Sequence, residues 1–237
     1  MDTKYLAIYN HYVEKIESGQ LRPRTKLPSE HELTRMFHTS RETVRKALNL
    51  LAQNGYIQKV KGKGSFVLQV DRFEFPVSGL VSFKELAARL GKESRTRVLS
   101  LKATAPEGEM VNHLNISPSQ PVWQVVRTRT IGGETIILDK DCFRQDIVPE
   151  LTVEICEDSI YEYLERILEK KISFAKKVIT VEEPTEEDRN LLDLDGYPMV
   201  VVVENYVYLE DATLFQYTES RHRPDKFRFV DFARRHQ

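Results

Sequence analysis

The chain has 237 residues, of which 41% are hydrophobic and 30% are charged, and its formal net charge is -1. This length fits one large domain or two small ones, and the apolar fraction excludes a wholly disordered chain. No stretch approaches the roughly 20 apolar residues of a membrane span, and the first residues lack a signal pattern, so we expect a cytoplasmic protein. Cys142 and Cys156 are too few for a disulfide framework or a zinc site of their own, which predicts two reduced structural thiols.

The charge is divided unevenly along the chain. Residues 1–70 contain 12 basic and six acidic side chains, a balance of +6, whereas the remaining 167 residues contain 23 basic and 30 acidic ones, a balance of -7. A total near zero would argue against a nucleic-acid partner, but here it hides a basic first third. The division predicts two domains with different partners, although chance clustering of charges on solvated faces would produce it too.

Three helices are predicted in the first part of the chain. Apolar residues at helical spacing cover residues 5–17. Ser29 and Glu32 form a capping-box pattern, in which the serine hydroxyl accepts from the third helical N–H and the glutamate reaches back, so a short second helix begins here. After a tight turn, Ser40 is the expected N-cap of a third helix that ends at Asn54.

A β-hairpin is predicted at residues 56–68, because two short apolar runs flank a Gly/Lys turn at residues 61–64. Three helices followed by such a hairpin are typical of a winged helix-turn-helix. The third helix of that fold reads bases through its first turns, and an arginine can donate two hydrogen bonds to guanine. Arg41 and Arg45 share one face near the start of this helix. The alternative is a small helical domain with an exposed basic face.

The second part of the chain predicts a different architecture. Residues 71–80 are expected to be an extended linker, since Pro76 disfavours helix at the residue before it. Strands are predicted at residues 96–103, 122–131, 135–143, 175–181, 199–209 and 214–221. Helices are predicted at residues 83–90, 160–168 and 186–192. Because turn signals separate neighbouring strands, residues 81–237 are expected to form an α+β domain with a largely antiparallel sheet.

Two features of this domain suggest an anion site. Arg127 and Arg129 alternate with apolar residues, so they share one face of a strand, and each needs an anionic partner. That partner is a phosphate or carboxylate ligand, or alternatively an internal carboxylate such as Asp139 or Asp141. Ser82, at the start of a helix, is a second candidate with its neighbour Lys84, and its alternative role is an ordinary N-cap.

Three segments of the first domain carry a specific motif, namely Leu27-Pro28-Ser29-Glu30-x-Glu32-Leu33, Ser40-Arg41-x-Thr43-Val44-Arg45-x-Ala47-Leu48 and Gly62-x-Gly64-Ser65-Phe66-Val67. With them, residues 1–70 resemble the GntR family of bacterial repressors. The resemblance implies that the second helix, the start of the third helix and the wing contact DNA. The corresponding residues are His31, Ser40, Arg41, Glu42, Thr43, Arg45, Lys61, Gly62 and Gly64. Lys63, in the same turn, is a further candidate because it supplies positive charge. Relatives commonly have Arg at position 31, so His31, which is mostly neutral at pH 7, is a departure.

Three further segments resemble the UTRA effector domain, which defines the HutC-like branch of this family: Arg127-x-Arg129, Ser159-Ile160-Tyr161-Glu162 and Phe215-Gln216-Tyr217-Thr218-Glu219-Ser220-x-His222-Arg223. The resemblance implies a fold like that of chorismate lyase, dimerisation, and binding of a small metabolite that is often a phosphorylated sugar. The implied ligand-contacting residues are Ser82, Phe83, Lys84, Arg127, Arg129, Asp139, Ser159, Tyr161, Gln216, Tyr217, Ser220 and His222. Relatives usually have Glu at position 216 and Tyr at position 222, which leaves room for a different ligand.

Residues 76–86, 137–141 and 214–223 resemble the regulators of trehalose operons within this branch. That resemblance implies trehalose 6-phosphate as the effector, whereas the residues alone indicate only an anionic metabolite.

Three functions remain in competition. The favoured hypothesis is a homodimeric repressor, without a cofactor, that releases a palindromic operator when its ligand binds. A lyase-like fold could also support catalysis, but the chain has no catalytic motif and no metal-ligand histidine spacing. The third function is that of an architectural DNA binder, which would need no ligand.

Overall fold

The computed structural model describes residues 4–69, 82–90, 93–227 and 229, and the chain divides into two compact units. The first unit, which we call the head, contains residues 4–69 of this described part, and the second, the body, contains the rest. The predicted linker at residues 71–80 lies outside the described residues, as does most of the chain after residue 227.

The head begins with three helices, α1 (Lys4–Glu17), α2 (Glu30–Met36) and α3 (Arg41–Gln53). The predicted capping box opens α2, since Ser29 accepts from the Glu32 N–H at 3.3 Å and the Glu32 carboxylate accepts from the Ser29 N–H at 2.7 Å. His38 has a positive φ of 46°, which makes the turn between α2 and α3 tight. These helices bury one apolar cluster, whose fully buried members include Ile8, Leu33, Val44, Leu48 and Leu51.

A two-stranded wing follows α3. Strands β1 (Ile57–Val60) and β2 (Gly64–Val67) pair antiparallel, as the sequence predicts. Gly62 and Gly64 have φ values of +74° and +112°, a conformation that side chains with a Cβ rarely adopt, so glycine at these positions allows the turn. The predicted winged helix-turn-helix is therefore the observed fold of the head.

The body is built on a six-stranded antiparallel sheet. Its strands are β3 (Ser94–Thr104), β4 (Val122–Ile131), β5 (Glu134–Arg144), β6 (Ile172–Glu182), β7 (Val200–Leu209) and β8 (Leu214–His222). Their spatial order is β3-β4-β5-β8-β7-β6. All six predicted strands are present, most of them one to three residues longer at an end than the apolar pattern indicates, because pairing continues into polar residues.

Helices cover both faces of this sheet. They are α4 (Phe83–Leu90), α5 (Glu109–Leu114), α6 (Val153–Glu157), α7 (Ile160–Arg166) and α8 (Glu186–Leu191), and a 3-10 turn spans Pro224–Lys226. The sequence pattern misses α5 and α6, which have six and five residues and too few turns to show a periodicity. It also extends α7 two residues too far, since that helix ends at Arg166 and has Ile167 as its C-cap.

The two faces have separate cores. We call the face covered by α6 and α7 the front face; there Val125, Phe143 and Val207 pack with Ile160 and Leu164. On the back face, apolar residues of the sheet pack beneath α8 in one cluster and beneath α5 in another. The two cysteines are free and buried, as expected for structural thiols. Among the described residues, none of the helices is both long and apolar enough to cross a membrane.

Candidate nucleic-acid interface and ligand cleft

The start of α3 presents polar side chains to solvent. Ser40 is its N-cap and accepts from the Thr43 N–H at 3.2 Å, while the two hydroxyls lie 2.9 Å apart. Arg41 and Glu42, in the first turn, are exposed. Ser40 and Thr43 thus hold the helix end in shape, and the neighbouring side chains are available to a partner.

Arg45 links α3 to α2. Its Nε donates to Glu30 Oε2 at 2.9 Å, and the Arg45 side chain remains 61% exposed. Because this bond uses Nε, the two terminal nitrogens of the guanidinium are still able to meet a base edge as a fork. Glu30 therefore orients Arg45 without occupying the whole of its donor set.

The other predicted DNA contacts also lie on the surface of the head. His31 is exposed on the first turn of α2, and the wing residues Lys61, Gly62, Lys63 and Gly64 are exposed around the turn of the hairpin. Helix, turn and wing can therefore offer donors to bases and phosphates, as the predicted roles require.

Two buried ion pairs lie on the front face of the sheet. Arg127 Nη2 is 2.5 Å from Asp141 Oδ2, and Arg129 Nε is 2.9 Å from Asp139 Oδ2. Arg127 also donates to the Cys156 carbonyl at 3.0 Å. The internal carboxylates that the sequence offered as alternative partners are thus the partners in this structure.

Hydroxyl and amide groups of β8 bond the two aspartates, and with the two ion pairs they form one row of polar side chains. Ser220 donates to Asp139 at 2.6 Å, and Gln216 donates to Asp141 at 3.0 Å. Burial alone would raise the pKa of Asp139, but the charges of Arg129 and Arg127 lower it below its usual value. The row is a connected network in which Asp139 is ionised at pH 7.

The network is not saturated. Within the described part of the chain, Arg127 Nε and Gln216 Oε1 are buried without a hydrogen-bond partner. Buried polar atoms of native proteins are nearly always bonded to protein, water or ligand. One free donor and one free acceptor beside the ion pairs are therefore places where a polar ligand can bond.

A cleft of about 360 Å³ lies between α4 and α7, and four predicted residues line it, Ser82, Lys84, Ser159 and Tyr161. The two serines are N-caps, each accepting at 3.2 Å from the N–H three residues later. Ser82 is therefore an N-cap, which was the alternative role considered for it, and it also lines the cleft.

Ion pairs tie α4 to the start of α7 at the cleft, and an aromatic contact connects the cleft with the network. Lys84 Nζ bridges Asp158 at 2.7 Å and Glu162 at 3.0 Å. The Phe83 ring lies 4.7 Å from the Arg129 guanidinium carbon. Burial, followed by the nearby Asp141 charge, raises the pKa of Tyr161, which is thus a neutral phenol at pH 7.

The structure separates one predicted ligand residue from the others. Tyr217 alternates with Gln216 along β8, so it lies on the back face, where it stacks on His113 at 4.0 Å and donates to Glu204 at 2.6 Å. His222 lies on the front face, in register with Ile137, and burial lowers its pKa to about 4.

Sequence reasoning missed two hydroxyls of the network. Thr218 donates to Asp141 at 2.7 Å, and the two-residue alternation between Gln216 and Ser220 would have found it. Thr96 receives the Arg129 Nη1 bond at 2.6 Å, and only the pairing of β3 with β4 reveals that contact.

Two family models match separate parts of the chain. Residues 4–67 match the model of the bacterial regulatory proteins of the gntR family, and residues 89–228 match the UTRA domain. The HTH-type transcriptional regulator TreR of Bacillus subtilis strain 168 is 58% identical over 98% of both chains. The transcriptional repressor NagR of the same organism is 28% identical over 98% of this chain and 95% of its own.

Solved structures are similar too. The transcriptional regulator YydK of B. subtilis matches 98% of this chain and 100% of its own with a TM-score of 0.80 and 28% identity. The effector binding domain of the B. subtilis trehalose repressor matches 60% of this chain and 99% of its own, with a TM-score of 0.55 and 54% identity.

Proposed function

Since the chain belongs to the gntR family of bacterial regulatory proteins and carries a UTRA domain, we propose that it represses transcription until a phosphorylated sugar binds its body. The observation that carries the ligand class is the buried arginine pair beside a cleft whose lining contains two helix N-caps and a lysine. Arginines, serine hydroxyls and helix amides are the donors that phosphate oxygens use in proteins. No cofactor enters the proposal.

Trehalose 6-phosphate is the proposed effector, and a trehalose operon is the proposed target. Support comes from the 58% sequence identity with TreR over nearly the whole chain, and from the structural similarity to the effector binding domain of the trehalose repressor. The phosphate would take the arginine and serine donors. Gln216, Asp139 and His222 offer both donors and acceptors to sugar hydroxyls, which suits a disaccharide.

Binding would have to compete with contacts already present. Arg127 and Arg129 each hold an aspartate, and Lys84 holds two carboxylates between α4 and α7. A phosphate that draws Lys84 inward exchanges one anionic partner for another, which changes how α4 rests on α7. We propose this exchange as the local event of induction.

The proposed repressor is a homodimer that acts in the cytoplasm. For the ligand to release DNA, this dimer must have one arrangement that fits the operator and one that does not. Two heads of one dimer meet two half-sites of a palindromic operator. The ligand must bind more tightly to the arrangement that does not fit the operator, and such coupling is typically about 1–3 kcal/mol.

Calorimetry of the full chain with trehalose 6-phosphate, free trehalose and glucose 6-phosphate tests the effector. We expect saturable binding of trehalose 6-phosphate, unchanged ligand after incubation, and release of operator DNA in a gel shift. Tight binding of free trehalose, or release by glucose 6-phosphate alone, would reject the effector. Turnover of the ligand would favour the enzyme alternative, and DNA binding that no sugar phosphate alters would favour the architectural one.

A conservative variant tests the arginine pair. Arg129→Lys keeps the charge but replaces the planar guanidinium, which bonds Asp139 and Thr96 through two different nitrogens, by a single nitrogen. We expect its ligand affinity to fall at least tenfold while operator affinity stays unchanged. Arg97→Lys, an exposed position on the same sheet, is the matched control. Equal ligand affinities of the two variants would contradict the role of Arg129.

A further inference from the structure

The wing is broader than its hairpin. Residues 24–27, which precede α2, run alongside β2: the Arg24 N–H donates to the Val67 carbonyl at 2.7 Å, and the Val67 N–H donates to the Thr25 carbonyl at 2.9 Å. The Leu27 N–H donates to the Ser65 carbonyl at 2.8 Å, and Lys26 pairs with Phe66 as an antiparallel bridge. This segment acts as a third strand of the wing.

Alternation along this third strand sets the direction of its side chains. Leu27 is 2% exposed and belongs to the core of the head, so Lys26 lies on the outer face of the wing. Residues directly opposite one another in a sheet share a face, which places Lys26, Phe66 and Gly64 on the same side.

Gly64 makes room for the Lys26 side chain. A Cβ at Gly64 would lie 2.9 Å from Lys26 Cε, which is closer than real Cβ contacts, and 3.8 Å from Lys26 Nζ. The lysine stem therefore crosses the glycine backbone at the base of the wing turn. Within the described part of the chain, Lys26 forms no ion pair within 4 Å.

Lys26 is also near the start of α2. Hydrogen bonds from Ser29 are the main reason that the pKa of Glu32, in the first turn of α2, is lowered, and the positive charge of Lys26 adds to that effect. Lys26 precedes Ser29, the N-cap of α2, by three residues, and its side chain crosses Gly64 in the wing, so it connects two elements that carry predicted DNA contacts.

From this position we propose that Lys26, held across Gly64, contacts a phosphate of the DNA backbone and joins the wing to the start of α2 as one phosphate-binding edge. The inference rests on the proposed DNA-binding function and adds a residue to it. A phosphate contact is independent of sequence, so Lys26 would add affinity and fix the position of the head without reading bases.

Lys26→Met tests the charge while keeping an unbranched apolar stem over Gly64. Each lost phosphate contact reduces the magnitude of the negative slope of log affinity against log salt by about 0.9 on duplex DNA. We expect that decrease for each bound head, equally on operator and unrelated DNA, with unchanged melting temperature. Lys26→Arg should keep the wild-type slope. Lys15→Met, which removes the same charge from the last turn of α1, is the control and should leave the slope unchanged.

The outcomes separate this inference from the proposed function. If the wild-type chain shows no salt-dependent DNA binding, the proposed function fails. If the wild type binds and Lys26→Met has the same slope, Lys26 contacts no phosphate. A loss that depends on DNA sequence, or that follows a lower melting temperature, would also overturn the proposal.

A double-mutant cycle tests the part played by Gly64. Gly64→Ala displaces the lysine stem and strains the turn, whereas Lys26→Ala removes the contact directly. If Gly64 positions Lys26, the two losses of affinity overlap, so the double variant binds more tightly than the product of the two losses predicts. If the affinity loss of the double variant equals the product of the two single losses, Gly64 does not position Lys26.

Discussion

Arg127 lies directly opposite Asp139 in the pairing of β4 with β5, yet its Nη2 bonds Asp141, two residues along. Arg129 is displaced in the same sense, since it bonds Asp139 rather than the residue opposite it. Both ion pairs are therefore diagonal, and together they form one buried row whose charges balance. A phosphate entering this row adds negative charge to a neutral set, so donors outside it, such as Lys84 and the Ser82 and Ser159 hydroxyls, are needed to hold it.

Loss of one member of this row should be costly. Among the described residues, Arg127→Met leaves buried Asp141 with Gln216 and Thr218 as its donors, and removing one partner of a buried pair costs about 3–5 kcal/mol. We expect that decrease in the free energy of unfolding, measured by urea titration. Trp123, the one tryptophan of the chain, lies in β4, so its fluorescence follows the body alone.

The matched double variant separates charge from packing. Arg127→Met with Asp141→Asn removes both charges and keeps an amide oxygen for Gln216 and Thr218. It should regain most of the lost stability. A double variant no more stable than Arg127→Met would mean that the hydrogen bond to the Cys156 carbonyl, rather than the ion pair, is what the structure needs.

Arg45 should determine operator preference. Arg45→Ala is expected to weaken operator binding by about tenfold to a hundredfold and to relax the choice at one base pair of each half-site, because a bidentate base contact carries that discrimination. Glu30→Gln, which keeps a weaker acceptor for Nε, should have a smaller effect of the same kind. Gel shifts against operators changed one base pair at a time measure both. Equal losses on all operators would show that Arg45 contacts phosphate instead.

Sequence patterns predicted the elements of this fold well where periodicity or capping was strong. Ser29 and Ser40 are the N-caps that the sequence predicts, since a side chain that accepts an N–H is a local signal. Ser159 and Thr185 likewise cap the helices predicted from residues 160 and 186. The short helix α5 was not predicted because its N-cap is Gly108, which offers no capping side chain.

The candidate ligand site was only partly predictable. Two-residue alternation correctly placed Arg127 and Arg129 on one face, but which carboxylate each arginine bonds depends on a diagonal that sequence spacing does not encode. Tyr217 was grouped with its neighbours by resemblance, whereas the same alternation places it on the back face beside His113. Strand register, set by pairing between distant residues, decided both cases.

Removing a methyl group from one hairpin turn of the body and adding one to the other should change stability in opposite directions. Ala212 has a φ of +65°, where a Cβ costs about 1 kcal/mol, so Ala212→Gly should raise the free energy of unfolding by about 0.5 kcal/mol after the entropy of glycine is included. Gly133, with a φ of +87° and open space around it, should lose about 1 kcal/mol on Gly133→Ala. Trp123 fluorescence during urea unfolding gives both values. A shift of the same sign in the two variants would contradict the strain assigned to these turns.

His222 should make the stability of the body depend on pH. Burial lowers its pKa from 6.5 to about 4, with the Lys177 charge acting in the same direction and Asp139 opposing both. Between pH 6.5 and about pH 4, His222 binds a proton in the unfolded chain but not in the folded one. The free energy of unfolding therefore falls as the pH decreases through this window, and its full value is reached above about pH 6.5. At pH 5 the expected loss is about 2 kcal/mol relative to pH 7.

The measurement is urea unfolding of the body at pH 7, 6 and 5, with His222→Phe as the comparison. Phenylalanine does not titrate and can keep the ring contact that His222 makes with Phe227, whose centroid is 5.1 Å away. Acidic groups elsewhere contribute to both proteins alike, so the difference between their slopes isolates His222. We expect the variant to lose about 2 kcal/mol less than the wild type between pH 7 and pH 5. Parallel curves would show that the imidazole is free to take up its proton in the folded body, and with it that the pocket around His222 admits water.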